Sequence, residues 1–281
     1  MLGVGIDVAR VGGVEAWLAA RGPTLSAAVQ YDPRGRTVAV DGRAVYLDCR
    51  GAGSPTVILE AGFGSGASGW GDVLDGVAAF TRVCAWDRPG IGRSEARGLH
   101  SAREAAEDLS TALAGAGERG PFVVVAHSLG GVYARLFATI EPEAVLAFVM
   151  LDTYEPDLGV VDDPAIDAEF RAVVQQSLDD TGAMIASGEN LDWAATLREL
   201  AQAGLVETPT IFLSVDPRLR YVDPDPARVA VIIDAWHRAI AALYPNGRLE
   251  IVPNAGHMLQ FDRPGLVIER TRELVLRYRS P

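Results

Sequence analysis

The residues able to attack a carbon or carry a proton at neutral pH are few, and one group stands in an unusual setting. Residues 123–133 read VVVAHSLGGVY: an apolar run, then His127, Ser128 and Leu129, then two glycines opening a helical pattern. A serine at a sharp strand-to-helix turn is held in a sparsely allowed backbone conformation. The residues two positions to either side must then be small. Here they are Ala126 and Gly130, giving A-H-S-L-G. Serine is a weak nucleophile at its free pKa and needs a base to take its proton. Four histidines could serve as that base, His100, His127, His237 and His257. His127 adjoins the serine and points elsewhere in such a turn, so it reads as packing or pocket wall. His100 falls in a loop before a helical pattern and is expected to be solvated. His237 sits in a helical stretch beside Trp236. His257 follows the last apolar run, after Asn254-Ala255-Gly256.

The elements that must position these groups alternate. TVAV and AVYLDC flank Asp41-Gly42, a strong short hairpin signal. PTVILEAG, RVCAWD, PFVVVAHS, AVLAFVMLD, PTIFLSV and RLEIVPN follow as short apolar runs of the kind seen in buried strands. Helical patterns separate several of them: SAREAAEDLSTALAGAG, LGGVYARLFATIEP, PARVAVIIDAWHRAIAALYP and PGLVIERTRELVLRY. Strand alternating with helix predicts an α/β fold, a mostly parallel sheet of about eight strands with helices on both faces. From 153 to 207 only helix-like pieces occur, DAEFRAVVQQSLDD and LDWAATLRELAQAG among them. That segment is expected to form a helical cap over a core made of 31–152 and 208–281, with 1–30 as an appended segment.

Three further stretches, EAGFGSGASGW, WDRPGIGRS and NAGHMLQFDRPG, stand with the serine turn in an order and spacing that resembles the α/β-hydrolase fold family, its serine esterases and lipases in particular. The resemblance spans about residues 37–278. It implies a catalytic Ser128 with His257 as its base, because the family places its imidazole in the loop after the last strand. The acid that orients the imidazole falls at Asp152, after AVLAFVML, or at the alternative Asp216, after PTIFLSV; Asp152 is preferred and both keep the order Ser, Asp, His. Oxyanion donors are expected from the backbone N–H groups of Leu129 and Phe63, although Ala61-Gly62 replaces the family's usual His-Gly. Trp70, His127, Phe170 and Trp193 are expected to line an apolar substrate pocket. WDRPGIGRS reads as a structural turn. Residues 1–30 resemble the start of holo-acyl-carrier-protein synthases, in which the aspartate equivalent to Asp7 binds metal, but no transferase activity is assigned to them.

The implied activity is carboxylesterase-like: cleavage of an ester or lactone of a small to medium apolar substrate through an acyl-enzyme. The alternatives are a thioesterase or acyltransferase on carrier-bound acyl groups, and a non-hydrolytic binding or isomerising protein on the same fold. A serine at 128 points away from the family's epoxide hydrolases and dehalogenases, which use aspartate. No cofactor is expected, since the glycines of GFGSGASG precede no Lys-Ser/Thr pair. No metal is expected either, since no Cys/His cluster has ligand spacing. The chain has 281 residues and a net charge of −12, and all 25 basic residues are arginine. That balance argues against nucleic-acid or membrane partners and leaves the oligomeric state open. Without a signal-like N-terminus, a cytoplasmic protein is expected. Cys49 and Cys84 both fall in strand patterns and read as free buried thiols, with a single bridge between them as the alternative.

Overall fold

The structure is a computed structural model that describes residues 31–156, 164, 168–204, 206–215 and 226–279. The segment 1–30 and the alternative acid Asp216 lie outside the described residues.

The hairpin at Asp41-Gly42 forms as expected. Both residues have positive φ, 47° and 78°, which is the backbone of the two-residue turn whose twist matches its strands. It joins β1 (Arg36–Val40) to β2 (Arg43–Arg50). The remaining strands are β3 (Thr56–Glu60), β4 (Val83–Trp86), β5 (Phe122–His127), β6 (Val145–Leu151), β7 (Thr210–Val215) and β8 (Gly247–Val252). They make one eight-stranded sheet in the order β1-β2-β4-β3-β5-β6-β7-β8. From β4 to β8 every pairing is parallel; β1 with β2 and β2 with β4 are antiparallel.

Both faces of this sheet are covered, which explains why its central strands read as unbroken apolar runs. Along β3 and β5 alternate side chains enter two different cores. Ile58, Val124 and Ala126 face one, shared with helices α2 (Ala102–Ala116), α3 (Gly130–Ile140) and α6 (Pro226–Leu243). Val57, Leu59, Val123 and Val125 face the other, shared with α1 (Gly71–Ala78), the short α7 (Leu259–Asp262) and α8 (Pro264–Tyr278). Helix α2 starts on a reciprocal cap: Ser101 Oγ accepts the Glu104 N–H at 3.3 Å and Glu104 Oε2 accepts the Ser101 N–H at 2.8 Å.

Between β6 and β7 stand two helices, α4 (Ala168–Glu189) and α5 (Trp193–Ala203). They dock on the start of α2. The His100 carbonyl accepts the Asp192 N–H at 2.7 Å, Thr196 Oγ1 accepts the Ala102 N–H at 3.0 Å, and Ser101 Oγ donates to Glu199 at 2.8 Å. His100, expected in solvent, is therefore 3% exposed, because its loop is where the insertion rests.

The cysteines correct a second expectation. Cys49 and Cys84 are direct cross-strand partners in the β2–β4 register and are joined as a disulfide. The strand order brings β2 beside β4, a juxtaposition the sequence order alone does not reveal.

Candidate active site

At the carboxyl end of β5 the chain turns into α3 at Ser128, whose φ is 51°. The turn forms because its flanks are small and its backbone groups are satisfied. The Ser128 N–H donates to Leu151 O at 3.1 Å, and Ser128 O accepts the N–H of Tyr154 at 2.9 Å and of Gly131 at 3.0 Å. A Cβ at Gly130 would fall inside contact distance of the Glu60 and Ala61 carbonyls, which explains the small residue there.

Asp152 sits just past β6 with a φ of 47°, its side chain fully buried. The end of β7 holds it: Ser214 Oγ and the Val215 N–H both approach Asp152 Oδ1 at 3.4 Å. The segment that follows is fastened to α3 and to Tyr244, just past α6, through one buried carboxylate. Glu155 accepts from Thr153 Oγ1 at 2.7 Å, Arg135 at 2.9 Å and Tyr244 OH at 2.7 Å.

His257 completes a hydrogen-bonded chain. Its Nδ1 lies 2.7 Å from Asp152 Oδ2 and its Nε2 lies 2.9 Å from Ser128 Oγ. A carboxylate can only accept, so Nδ1 carries the proton and Nε2 is left to accept from the serine hydroxyl. Its loop is braced from two sides. The Gly256 N–H donates to Asp262 Oδ2 at 2.7 Å, and the buried His127 donates from Nε2 to the His257 carbonyl at 2.9 Å. His127 Nδ1 faces the Gln260 amide at 3.4 Å, and the two imidazoles pack with centroids 4.7 Å apart. Of the other histidines, His237 is held below the ordinary imidazole range by burial, partly offset by Asp234.

Two backbone N–H groups border Ser128 without a hydrogen-bond partner among the described residues, those of Leu129 and Phe63. The loop bearing Phe63 lies against the serine turn: a Cβ on Gly62 would stand 3.2 Å from Ser128 Cβ and 2.8 Å from His127 Nδ1. This arrangement has a hydroxyl facing a proton acceptor, a buried anion behind that acceptor and two unclaimed donors beside it. It can activate an oxygen nucleophile and hold a developing oxyanion.

Residues 57–270 match the Alpha/beta hydrolase family. The chain belongs to that family. It is similar to the Uncharacterized protein YqjL of Bacillus subtilis (strain 168), 25% identical over 240 residues that cover 83% of this chain and 88% of the relative. Among solved structures it resembles the epoxide hydrolase CorEH, with a TM-score of 0.61 at 21% identity over 88% of this chain and all of the other. It also resembles a thermophilic esterase from Thermogutta terrifontis, with a TM-score of 0.55 at 19% identity over 89% of this chain and all of the other. The two structural likenesses establish the fold; the chemistry has to be argued from the site.

Of the residues expected to line a pocket, His127 lies against His257. Trp70 is 1% exposed and packs in the core with Val73, Leu74 and Val77 rather than on an open wall. Trp193 stacks on Tyr154 at 6.0 Å, bringing α5 against the segment after Asp152. The Phe170 side chain lies outside what is described.

One group of residues near the site escapes sequence reading. Arg88, in the turn after β4, is fully buried between two carboxylates, Glu60 at 2.9 Å and Glu189 at 2.7 Å, and lies over the Tyr133 ring at 4.6 Å. Burial pushes the Glu60 carboxyl up to about 7, opposed by Arg88 and by the Trp86 N–H that reaches it at 2.7 Å. The presence of Glu60 at the end of an otherwise apolar strand is the one signal that could have pointed to this cluster.

Proposed function

We propose that the protein is a serine hydrolase that cleaves a carboxylic ester, or lactone, of a small to medium apolar substrate through an acyl-enzyme. The observation that carries this reading is the Ser128–His257–Asp152 chain, with hydrogen bonds of 2.9 and 2.7 Å. Ser128 Oγ attacks the ester carbonyl while His257 Nε2 takes its proton. Asp152 stabilises the imidazolium that forms. The carbonyl oxygen becomes an oxyanion facing the Leu129 and Phe63 N–H groups. Collapse breaks the bond to the alkoxy group, which leaves with the proton from His257 as the alcohol. Water, deprotonated by the same Nε2, then attacks the acyl-serine carbonyl. Its collapse releases the carboxylic acid and returns the proton to Ser128. In a lactone the alcohol stays tethered and the product is the hydroxy acid.

The residue type at 128 supports ester chemistry over epoxide or haloalkane opening, for which the family's enzymes carry an aspartate nucleophile. Helices α4 and α5 act as a cap, and the half-buried Phe63, Met184 and Trp193 on and beside them, packed against the core, offer it an apolar lining. That lining favours an apolar acyl or alkyl group. Hydrolysis of a series of p-nitrophenyl esters of rising acyl length tests this reading. Turnover by the parent at short to medium lengths and none by Ser128→Ala is expected. Turnover surviving in Ser128→Ala, or a folded parent inert to every ester and lactone offered, would overturn it.

A further inference from the structure

The loop carrying Phe63 is held by charge from beneath and by the cap from above. The peptide between Gly62 and Phe63 is trans, the only cis bonds among the described residues being Ser54-Pro55 and Gly120-Pro121. In a trans peptide the carbonyl and the N–H point in opposite directions. Arg88 donates to the Gly62 carbonyl at 2.7 Å and to the Ala61 carbonyl at 2.6 Å. Holding the Gly62 oxygen on the core side turns the Phe63 N–H the other way. The next peptide is fixed as well: the Gly64 N–H donates to Glu189 Oε1 at 2.6 Å.

Glu189 is the last residue of α4, so this second clamp belongs to the inserted helices and not to the sheet. Its carboxylate also accepts from Arg88 at 2.7 and 3.2 Å and from Tyr133 OH at 2.9 Å. The Phe63 ring itself packs where Gly188 leaves room for it; a Cβ on Gly188 would overlap the ring.

We propose that Arg88 and Glu189 are positioning residues for the Phe63 backbone donor, and that seating α4 on the core assembles the oxyanion site. This rests on the serine-hydrolase reading above. When α4 lifts, Glu189 leaves both Gly64 and Arg88: the clamp on the 63–64 peptide is lost and Arg88, held then by Glu60 alone, fixes the Gly62 carbonyl less firmly, so the donor loses its aim. Substrate can still bind, but the oxyanion is then stabilised by Leu129 alone. The structure thereby assigns the cap a part in the chemical step beyond enclosing the substrate.

The test compares the parent with Glu189→Ala and Glu189→Gln by kcat, KM and inhibition by a trifluoromethyl ketone, which adds to an activated serine and presents an oxyanion. Loss of one aimed donor costs about 100-fold in kcat. Glu189→Ala is expected to show that loss with KM within about threefold of the parent, and ketone affinity is expected to fall in step with kcat. Glu189→Gln keeps an acceptor for Gly64 and is expected to fall between, about tenfold. Should the alanine variant fail to fold, the glutamine variant decides by the same pattern at its smaller size. Unchanged kcat and ketone affinity in a folded variant would overturn the proposal, as would a rise in KM with kcat preserved. A parent that turns over no ester and reacts with no serine-directed probe would instead sink the hydrolase reading, and this proposal with it.

Discussion

At the scale of single residues, the decisive relation is between three side chains on three different loops. Two of the three, Ser128 and Asp152, have left-handed backbone conformations that are costly outside glycine. Asp152→Asn leaves the shape nearly unchanged but puts a donor opposite His257 Nδ1, favouring the wrong tautomer. A fall in kcat of about 10⁴ with an unaltered circular dichroism spectrum is expected, whereas Asp216→Asn is expected to leave kcat within a few-fold. Glu60 makes a separate prediction. Its folded-state carboxyl keeps its proton to about 7, well above the ordinary glutamate value of 4.5. The stability it contributes is therefore fully present below the ordinary glutamate range and is lost as pH rises toward about 7. The difference in urea midpoint between the parent and Glu60→Gln is expected to shrink or reverse over that window and to level off above it; a difference independent of pH would contradict the burial argument. The turn at Ser128 was legible because its constraint is local: small residues at fixed offsets in a strand-to-helix pattern. Glu60, Arg88 and Glu189 were not, because what marks them is mutual burial across more than a hundred residues of chain.

At the scale of elements, the serine turn depends on a close approach between α3 and the end of β3. Gly130→Ala would push a methyl group into the Glu60 carbonyl. A cost of about 1–3 kcal/mol and a large loss of ester turnover are expected, read from the thermal midpoint and from kcat; a variant as stable and active as the parent would show that the turn has slack. All eight strands and the helices flanking β5 and β8 stood out in the sequence, since each carries its own apolar period. Helix α1 did not. GDVLDGVA is one short element with two glycines, one residue after the glycine-rich GFGSGASG, and too brief for a helical period to emerge. Helix α4 also runs past the pattern ending at Asp180, through Gly182 and Gly188 to Glu189. Both glycines are contact residues, one beneath the Trp193 indole and one beneath the Phe63 ring. The apolar pattern fades before the helix end, where Glu189 reaches Gly64.

At the scale of the whole molecule, the sheet order decides what distant segments can do to one another. It places β2 beside β4, and so closes a disulfide over 35 residues of chain between Cys49 and Cys84. Such a bond persists in oxidising surroundings. A cross-link of that span is worth about 2–4 kcal/mol through the unfolded chain. Cys49→Ala/Cys84→Ala is expected to melt on the order of 10 °C lower with kcat little changed, because the bond lies away from the Ser128 end of the sheet; an unchanged melting temperature would mean that the bond is not formed in solution. Among the described residues no helix is long and apolar enough to cross a membrane. The same topology delivers β5, β6 and the loop after β8 to one edge, where Ser128, Asp152 and His257 meet. If this meeting makes Ser128 a nucleophile, intact-mass analysis after treatment with a small fluorophosphonate will reveal it. One adduct on the parent and none on Ser128→Ala is expected. A folded parent that takes up no probe, or a Ser128→Ala variant labelled as fully as the parent, would contradict it.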